Sequence, residues 1–254
     1  MATREGFPEA KIALWDLDVE SQVANNRKLL DLVPERRPED WQSDPMLFTY
    51  RGDMWCAYTA ETNYYFSAKQ EWIKVSKNGD LLDRHASDTL NRYEKSWMFF
   101  EHPTEGLLAV YHPSPVHVVI GVESGKRWAT PGLQWNWGNI RGSTQVVLHN
   151  GRYYTLVHSA KLINEVYTYF VGWYSFEPNP PFKIVEFSKR PMMTPDGGRS
   201  ANGLSVVFPR GLARWNDQWL ISYGYHDCSV RLLKTPTLDR ENAQVQGDYV
   251  TFLE

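Results

Sequence analysis

The chain has 254 residues and a formal net charge of -3, with its 27 Lys and Arg scattered, so neither a basic stripe for nucleic acid nor an acidic tail for a basic partner is present. No run reaches the ~18 apolar residues of a membrane span, and the amino terminus lacks the apolar core of a signal peptide; the expectation is a cytoplasmic protein with no membrane span. Aromatic residues make up 14% of the chain, a content that suits β-structure and also the stacking of sugar C–H faces on rings.

In chain order, "KIALWDL" (11–17) reads as a strand able to close a ring, and "SQVANNRKLLDLV" (21–33) carries a helical turn or two. Four stretches then follow one plan of polar start, apolar strand, tight turn and second strand with a polar end. They are "DPMLFTYRGDMWCAYTA", "EKSWMFFEHPTEGLLAVYHP", "RGSTQVVLHNGRYYTLVHS" and "RGLARWNDQWLISYGYHD". Their turns, Arg51-Gly52-Asp53, Thr104-Glu105-Gly106, Asn150-Gly151 and Asn216-Asp217, have hairpin chemistry. These turns fall 53, 46 and 66 residues apart, bracketing the roughly 40–50 residues of a four-stranded propeller blade. Runs such as "YTYFVGWYSF" and "FKIVEF" supply outer strands. Four units and an N-terminal remainder predict an all-β fold, a single five-bladed β-propeller over residues 1–254, with a β-sandwich or jelly roll as the alternatives. The inner hairpins are expected at 44–60, 96–113, 143–159 and 211–227. Cys56 and Cys228 both fall in expected strands and read as packing residues.

In a propeller the first strand of each blade lines the axis and the second runs back antiparallel, so first-strand starts and second-strand ends share one rim. This places Asp44, Glu94, Lys95, Arg141, Ser143 and Arg210 beside Tyr58, Thr59, Glu61, His112, His158, His226 and Asp227. Taken singly, each has a plain structural duty. Asp before Pro starts a turn, a strand-end His satisfies a carbonyl, Glu94-Lys95 is a solvated pair, Arg210 bridges two blades and Asp227 caps a turn. Together they have the look of an active site, because the same blade position is polar in all four units. Three His and two Asp could ligate zinc, but no H-x-H or HExxH pairing makes a metal specific, and no cofactor is expected.

"SDPMLFTYRGDMWCAYTA" resembles the "EDPR" blade of glycoside hydrolase family 130, the five-bladed β-propellers of β-mannoside phosphorylases and related hydrolases. "EKSWMFF…LLAVYHP", "RGSTQVVLHNGRYYTLVHS" and, most specifically, "VVFPRGLARWNDQWLISYGYHD" are similar to its later blades, so the resemblance runs from about Trp41 to about Leu232. It implies a carbohydrate substrate, Asp44 as general acid and Asp227 as a ligand of sugar hydroxyls. A proton for the leaving oxygen is what glycosidic cleavage needs from such an acid. The family's phosphate cradle of two Arg, an Asn, a Lys and a His corresponds here to Lys95-Ser96, His112, Asn139 and His158, of which only His158 is kept. Arg is favoured for bidentate phosphate recognition, so phosphorolysis is in doubt.

Three functions stay open. With Glu94 or Glu61 as base across the sugar from Asp44, water is the nucleophile and the protein is an inverting hydrolase. With Lys95, Arg141 and Arg210 on the phosphate of a sugar donor, it is a glycosyltransferase. With Trp135, Trp137, Tyr64 and Tyr65 as stacking residues, it is a glycan-binding propeller without chemistry. Oligomeric state is open too, with a second copy completing a short N-terminal blade as one option.

Overall fold

The computed structural model describes residues 12–30, 41–62, 67–88, 93–238, 243–244 and 248–252, and every regular element among them is a β-strand. The strands form five separate sheets. Sheet I pairs Ala13–Asp18 with Val23–Leu29, and the latter takes Thr251–Phe252 in parallel. Sheet II is the antiparallel meander Trp41–Tyr50, Asp53–Thr62, Ser67–Val75, Leu81–Ala86, and sheet III the meander Met98–His102, Gly106–His112, Val116–Gly121, Arg127–Pro131. In sheet IV two short pieces, Asn139–Gly142 and Val147–His149, share the long strand Arg152–Ile163, which pairs with Val166–Phe176. Sheet V runs Val207–Trp215, Gln218–Tyr225, Ser229–Thr235, Asp248–Tyr249.

The four expected hairpins are therefore present, each opening its own sheet. Local backbone chemistry sets their turns. Arg51-Gly52, Asn150-Gly151 and Asn216-Asp217 have positive φ at both central residues, from 44° to 76°, the conformation whose twist matches that of the flanking strands. The helical turn expected near residues 21–33 is not formed over its described part. Asp18 Oδ1 accepts from the backbone N–H of Glu20 and Ser21 and turns the chain, and pairing with Ala13–Asp18 holds Val23–Leu29 extended. Residues 31–33 lie outside the described residues. Cys228 is also not in a strand. The strand ends at Tyr225, His226 and Asp227 take φ of 51° and 54°, and Cys228 closes that turn exposed, while Cys56 is buried as expected.

Neighbouring sheets pack face to face through apolar clusters. Leu14, Tyr58 and Ile73 lie between I and II; Phe48, Trp72 and Phe99 between II and III; Phe100, Tyr153 and Phe176 between III and IV; Leu156, Trp173 and Ile221 between IV and V. At about 25 cal/mol per Å² of apolar surface removed from water, these inter-sheet layers are the main favourable term of the fold. The inner strands touch in succession: Trp41–Tyr50 meets Met98–His102, Gly106–His112 meets Asn139–Gly142, Arg152–Ile163 meets Val207–Trp215, and Val207–Trp215 meets Trp41–Tyr50. The result is a propeller arrangement of sheets II to V, with sheet I on the flank of sheet II. Gly142 marks the tightest passage, because a Cβ there would collide with the carbonyl of Ser96 and with Met98.

Candidate active site at the axial rim

Strand Trp41–Tyr50 breaks register where the resemblance places the acid. Ser43 pairs with Thr59 and Met46 with Ala57, leaving Asp44 and Pro45 together opposite Tyr58. This is a β-bulge, and Pro45 suits it because its missing N–H removes no ladder bond. Asp44 has φ 56°, a left-handed conformation that costs a non-glycine residue about 1–3 kcal/mol and persists only where the surroundings fix it. Arg210 fixes it. Its guanidinium donates to the carbonyls of Asp44, of Pro45 (3.3 Å) and of Ser143 (2.8 Å), tying sheet V to sheets II and IV. Arg210 is itself the extra residue of a second bulge, between the pairs Pro209–Tyr223 and Gly211–Ser222. As a bridge between blades it has three of its five N–H donors on backbone, so it is not the free phosphate ligand expected of it.

Around this clamp the rim residues converge. Burial raises the Asp227 carboxyl above the usual carboxylate range; His226 opposes that shift and the Asp44 charge adds to it. The two carboxylates, from sheets II and V, are thus within electrostatic reach of each other. Tyr169 stands with them, its phenol pushed up by burial and then by Asp227 and Asp44, with Arg141 opposing. His158, opposite Arg141 in the strand pair, is held down to about 3 by burial and then by Arg210, Arg141 and Lys95, so it is neutral at pH 7. Its ring lies parallel to Tyr169 (6.1 Å, 10°) and edge-on to Phe208 (4.6 Å).

Several other expected members have their polar atoms occupied. Glu94 is buried and accepts from Trp97 Nε1 (3.0 Å) and the Tyr111 hydroxyl (2.7 Å). Glu61 is buried too, with Ser43 Oγ at 3.3 Å and Lys95 Nζ at 3.9 Å. Neither carboxylate is open across the mouth as a base. His112 lies in the field of Glu94 with its pKa lowered, chiefly by burial. Ser143 Oγ donates to Pro209 O (2.7 Å), a joint between sheets IV and V. His226 accepts at Nδ1 from Val206 N–H (3.2 Å), which leaves Nε2–H to donate to Asp196 (3.1 Å); it fixes the turn that carries Asp227. Tyr58 has no accessible surface and donates to Glu71, so it is a core residue and not a sugar ligand. Trp135 donates to Ser159 (2.8 Å) and Trp137 packs on Phe170 (5.1 Å), while Tyr64 and Tyr65 lie outside the described residues.

Tyr169, Phe208 and Asp196 were not legible from the rim argument, which began the first strand of the last blade at Arg210 and considered no third strand or connection. Phe208 stands in "VVFPRGL" beside Arg210, which was a usable signal; nothing local marks Tyr169 or Asp196. Among the described residues no group of three or more His, Cys, Asp or Glu is arranged to hold a metal, and no helix is long and apolar enough to cross a membrane.

No known family profile matches the sequence, and no curated protein matches it. Solved structures do match the fold. The chain is similar to the β-1,2-mannobiose phosphorylase of Listeria innocua, at 17% identity over 75% of this chain and 56% of that one, with a TM-score of 0.59. It is similar to a glycoside hydrolase of the GH130 family of mannoside phosphorylases that targets β-1,2 mannosidic linkages in Candida mannan, at 16% identity over 82% of this chain and 68% of that one, TM-score 0.50. It is similar as well to MPT-1, a GDP-Man-dependent mannosyltransferase from Leishmania mexicana, at 15% identity over 83% of this chain and 73% of that one, TM-score 0.51. The chain spans little more than half the length of the Listeria innocua enzyme. What these neighbours have in common with it is the propeller-like fold, the one that "SDPMLFTYRGDMWCAYTA" and "VVFPRGL" resemble in sequence.

Proposed function

We propose that the chain is a carbohydrate-active propeller enzyme that breaks a glycosidic bond with inversion, using Asp44 as general acid. Sheet I is read as its fifth blade, which is supported by the pairing of Thr251–Phe252 onto Val23–Leu29. The observation that carries the catalytic reading is Asp44 itself, thrust out of its strand by a bulge, its backbone clamped by Arg210, and near enough to Asp227 for their charges to interact. Burial, with a smaller contribution from the Asp44 charge, raises the Asp227 carboxyl above its ordinary value, and a proton on the Asp44 carboxyl is what the acid step requires. Asp44 delivers that proton to the leaving oxygen as the bond to the anomeric carbon opens. Asp227, in place of the enclosed Glu94 and Glu61, then orients sugar hydroxyls or takes the proton of an attacking water on the opposite face. Tyr169 and Phe208 supply apolar surface for the ring.

Phosphate is a poor nucleophile for this site, because Lys95 is engaged with Glu61 and His158 is neutral. A second reading, transfer from a phosphate-containing sugar donor, is favoured by the charges of Lys95 and Arg141 that reach His158, with Arg141 exposed. Incubation with β-mannosides and β-glucosides, with and without phosphate, and separately with nucleotide sugars, separates the readings. Phosphate-independent cleavage abolished by Asp44→Asn supports the first. Turnover only with phosphate, or only with a nucleotide sugar, replaces it. Binding without turnover of any of them leaves a lectin.

A further inference from the structure

The second and third strands of sheet IV do not stop at the rim. Arg152–Ile163 and Val166–Phe176 stay paired past His158 to the turn at Asn164-Glu165, whose φ values of 47° and 65° make a tight two-residue loop. At about 3.3 Å per residue, the stretch from His158 to Ile163 projects roughly 15 Å beyond the mouth.

Its two faces differ. On one face the segment before Asn139 lies against the hairpin, through Trp135 on Ser159, Trp137 on Phe170, and Lys161 Nζ donating to Asn136 O (3.5 Å). Strand alternation puts His158, Leu162, Tyr167 and Tyr169 on the other face, and the parallel rings of His158 and Tyr169 bear this out. That face leads to the mouth, since His158 stands edge-on to Phe208 (4.6 Å), over whose ring lies the Arg210 guanidinium (5.7 Å) that holds Asp44. Moving outward along it, Leu162 and its cross-strand partner Tyr167 are 55% and 54% exposed. The projection is braced at its edge, where Ser205 N–H donates to Tyr167 O (3.0 Å) and Tyr169 N–H to Ser205 O (2.9 Å). An apolar step, braced at its edge, therefore rises from the acid site, with Leu162 and Tyr167 together on the side toward it.

We propose that Tyr167, backed by Leu162, is an outer sugar subsite that stacks the distal pyranose ring of an oligosaccharide whose scissile linkage lies at Asp44; this rests on the carbohydrate reading of the mouth. A phenol ring beside a branched aliphatic offers a flat apolar face matched to pyranose C–H groups. The mouth and the step together take a substrate of two or more sugars, with selectivity for chain length set by the step and chemistry set by Asp44.

The test is calorimetric titration of mannose, β-1,2-mannobiose and β-1,2-mannotriose into wild type, Tyr167→Ala, Tyr167→Phe and, on the opposite face, Ile163→Ala. Wild type is expected to bind the longest of them about five- to tenfold more tightly than mannose, the gain of one stacked ring. Tyr167→Ala should lose that gain with mannose affinity unchanged, while Tyr167→Phe and Ile163→Ala keep it. Equal affinity for all three sugars in wild type, or a gain that survives Tyr167→Ala, overturns the subsite while mannose binding keeps the carbohydrate reading. Binding of none of them overturns both.

Discussion

Asp44 occupies a conformation that its own sequence disfavours, since a residue before proline avoids left-handed and helical backbone alike. Arg210 holds it there from another sheet, so the strain at the acid and the burial of the guanidinium are two sides of one arrangement. Burial lowers the Arg210 pKa and the Asp44 charge opposes that, which makes the clamp sensitive to loss of either charge or planar geometry. Arg210→Lys is expected to lower stability by about 2–4 kcal/mol in urea unfolding, because a lysine cannot reach three carbonyls on two sheets. Asp44→Asn removes the charge that offsets the burial of Arg210 but none of its backbone hydrogen bonds, so stability in urea unfolding should fall by no more than about 1–2 kcal/mol while turnover falls about 100-fold or more. Tyr58→Phe provides the contrast: losing a buried hydrogen bond to Glu71 should cost about 1–2 kcal/mol of stability with no change in saccharide affinity.

At the scale of strands, three departures from regular pairing lie on first and second strands near the rim, while those of outer pairs, at Lys74–Val75 and Ser175–Phe176, lie at the opposite ends. The bulge at Asp44-Pro45, the one at Arg210 and the shift at Tyr111, between the pairs Val110–Val119 and His112–Val118, all fall toward the ends that face the mouth. Bulges turn side chains out of strict alternation, which is how a sheet can present polar groups to its axis without surrendering its packed faces. The interfaces between sheets also carry buried imidazoles. His117, between Thr130 and the Tyr174 hydroxyl, is held down to about 4 by burial, with the Phe182 carbonyl opposing, and His158 to about 3. Both are neutral in the folded chain and protonate near pH 6.5 when unfolded. Their contribution is complete above that pH and is lost as pH falls from about 6.5 through the folded values. His117 alone accounts for about 3 kcal/mol of this loss. Denaturant midpoints measured from pH 7.5 to pH 4 should fall steeply, and His117→Gln should flatten the curve.

At the scale of the whole molecule, the C-terminal segment couples the last sheet to the first. Asp248–Tyr249 adds an edge to sheet V, where Arg231 lies between the rings of Tyr225 (3.7 Å) and Tyr249 (4.3 Å), and Thr251–Phe252 then crosses to Val23–Leu29. Removing residues 248–254 is expected to lower Tm by about 4–10 °C, the equivalent of 2–3 kcal/mol in a domain of this size. The distribution of cations across the mouth sets a second molecular property. With Arg210 on backbone, Lys95 beside Glu61 and His158 neutral, inorganic phosphate titrated at pH 7 should bind no more tightly than about 1 mM.

The hairpins were legible in the sequence because their causes are local: alternation of apolar residues specifies a strand, and Asn150-Gly151 or Arg51-Gly52 specifies its turn, whatever lies around them. The repeat of those hairpins determined the propeller-like architecture, and the antiparallel rule determined which ends meet, so that Asp44, Arg141, His158, Arg210 and Asp227 could be named as neighbours. What each rim residue does was decided by tertiary structure. Arg210, Ser143 and His226 spend their hydrogen bonds on backbone or on Asp196, Glu94 is capped by Trp97 and Tyr111, and Tyr58 faces a core cluster. The same holds for Val23–Leu29, where pairing with Ala13–Asp18 on one side and the distant Thr251–Phe252 on the other overrode a weak helical pattern, and for Tyr169, which reaches the mouth from a third strand. The physical reason is common to most of them: period and turn chemistry fix the face on which a side chain stands, while its partners come from other strands, and for Arg210 and Ser143 from other sheets, whose approach no local pattern encodes.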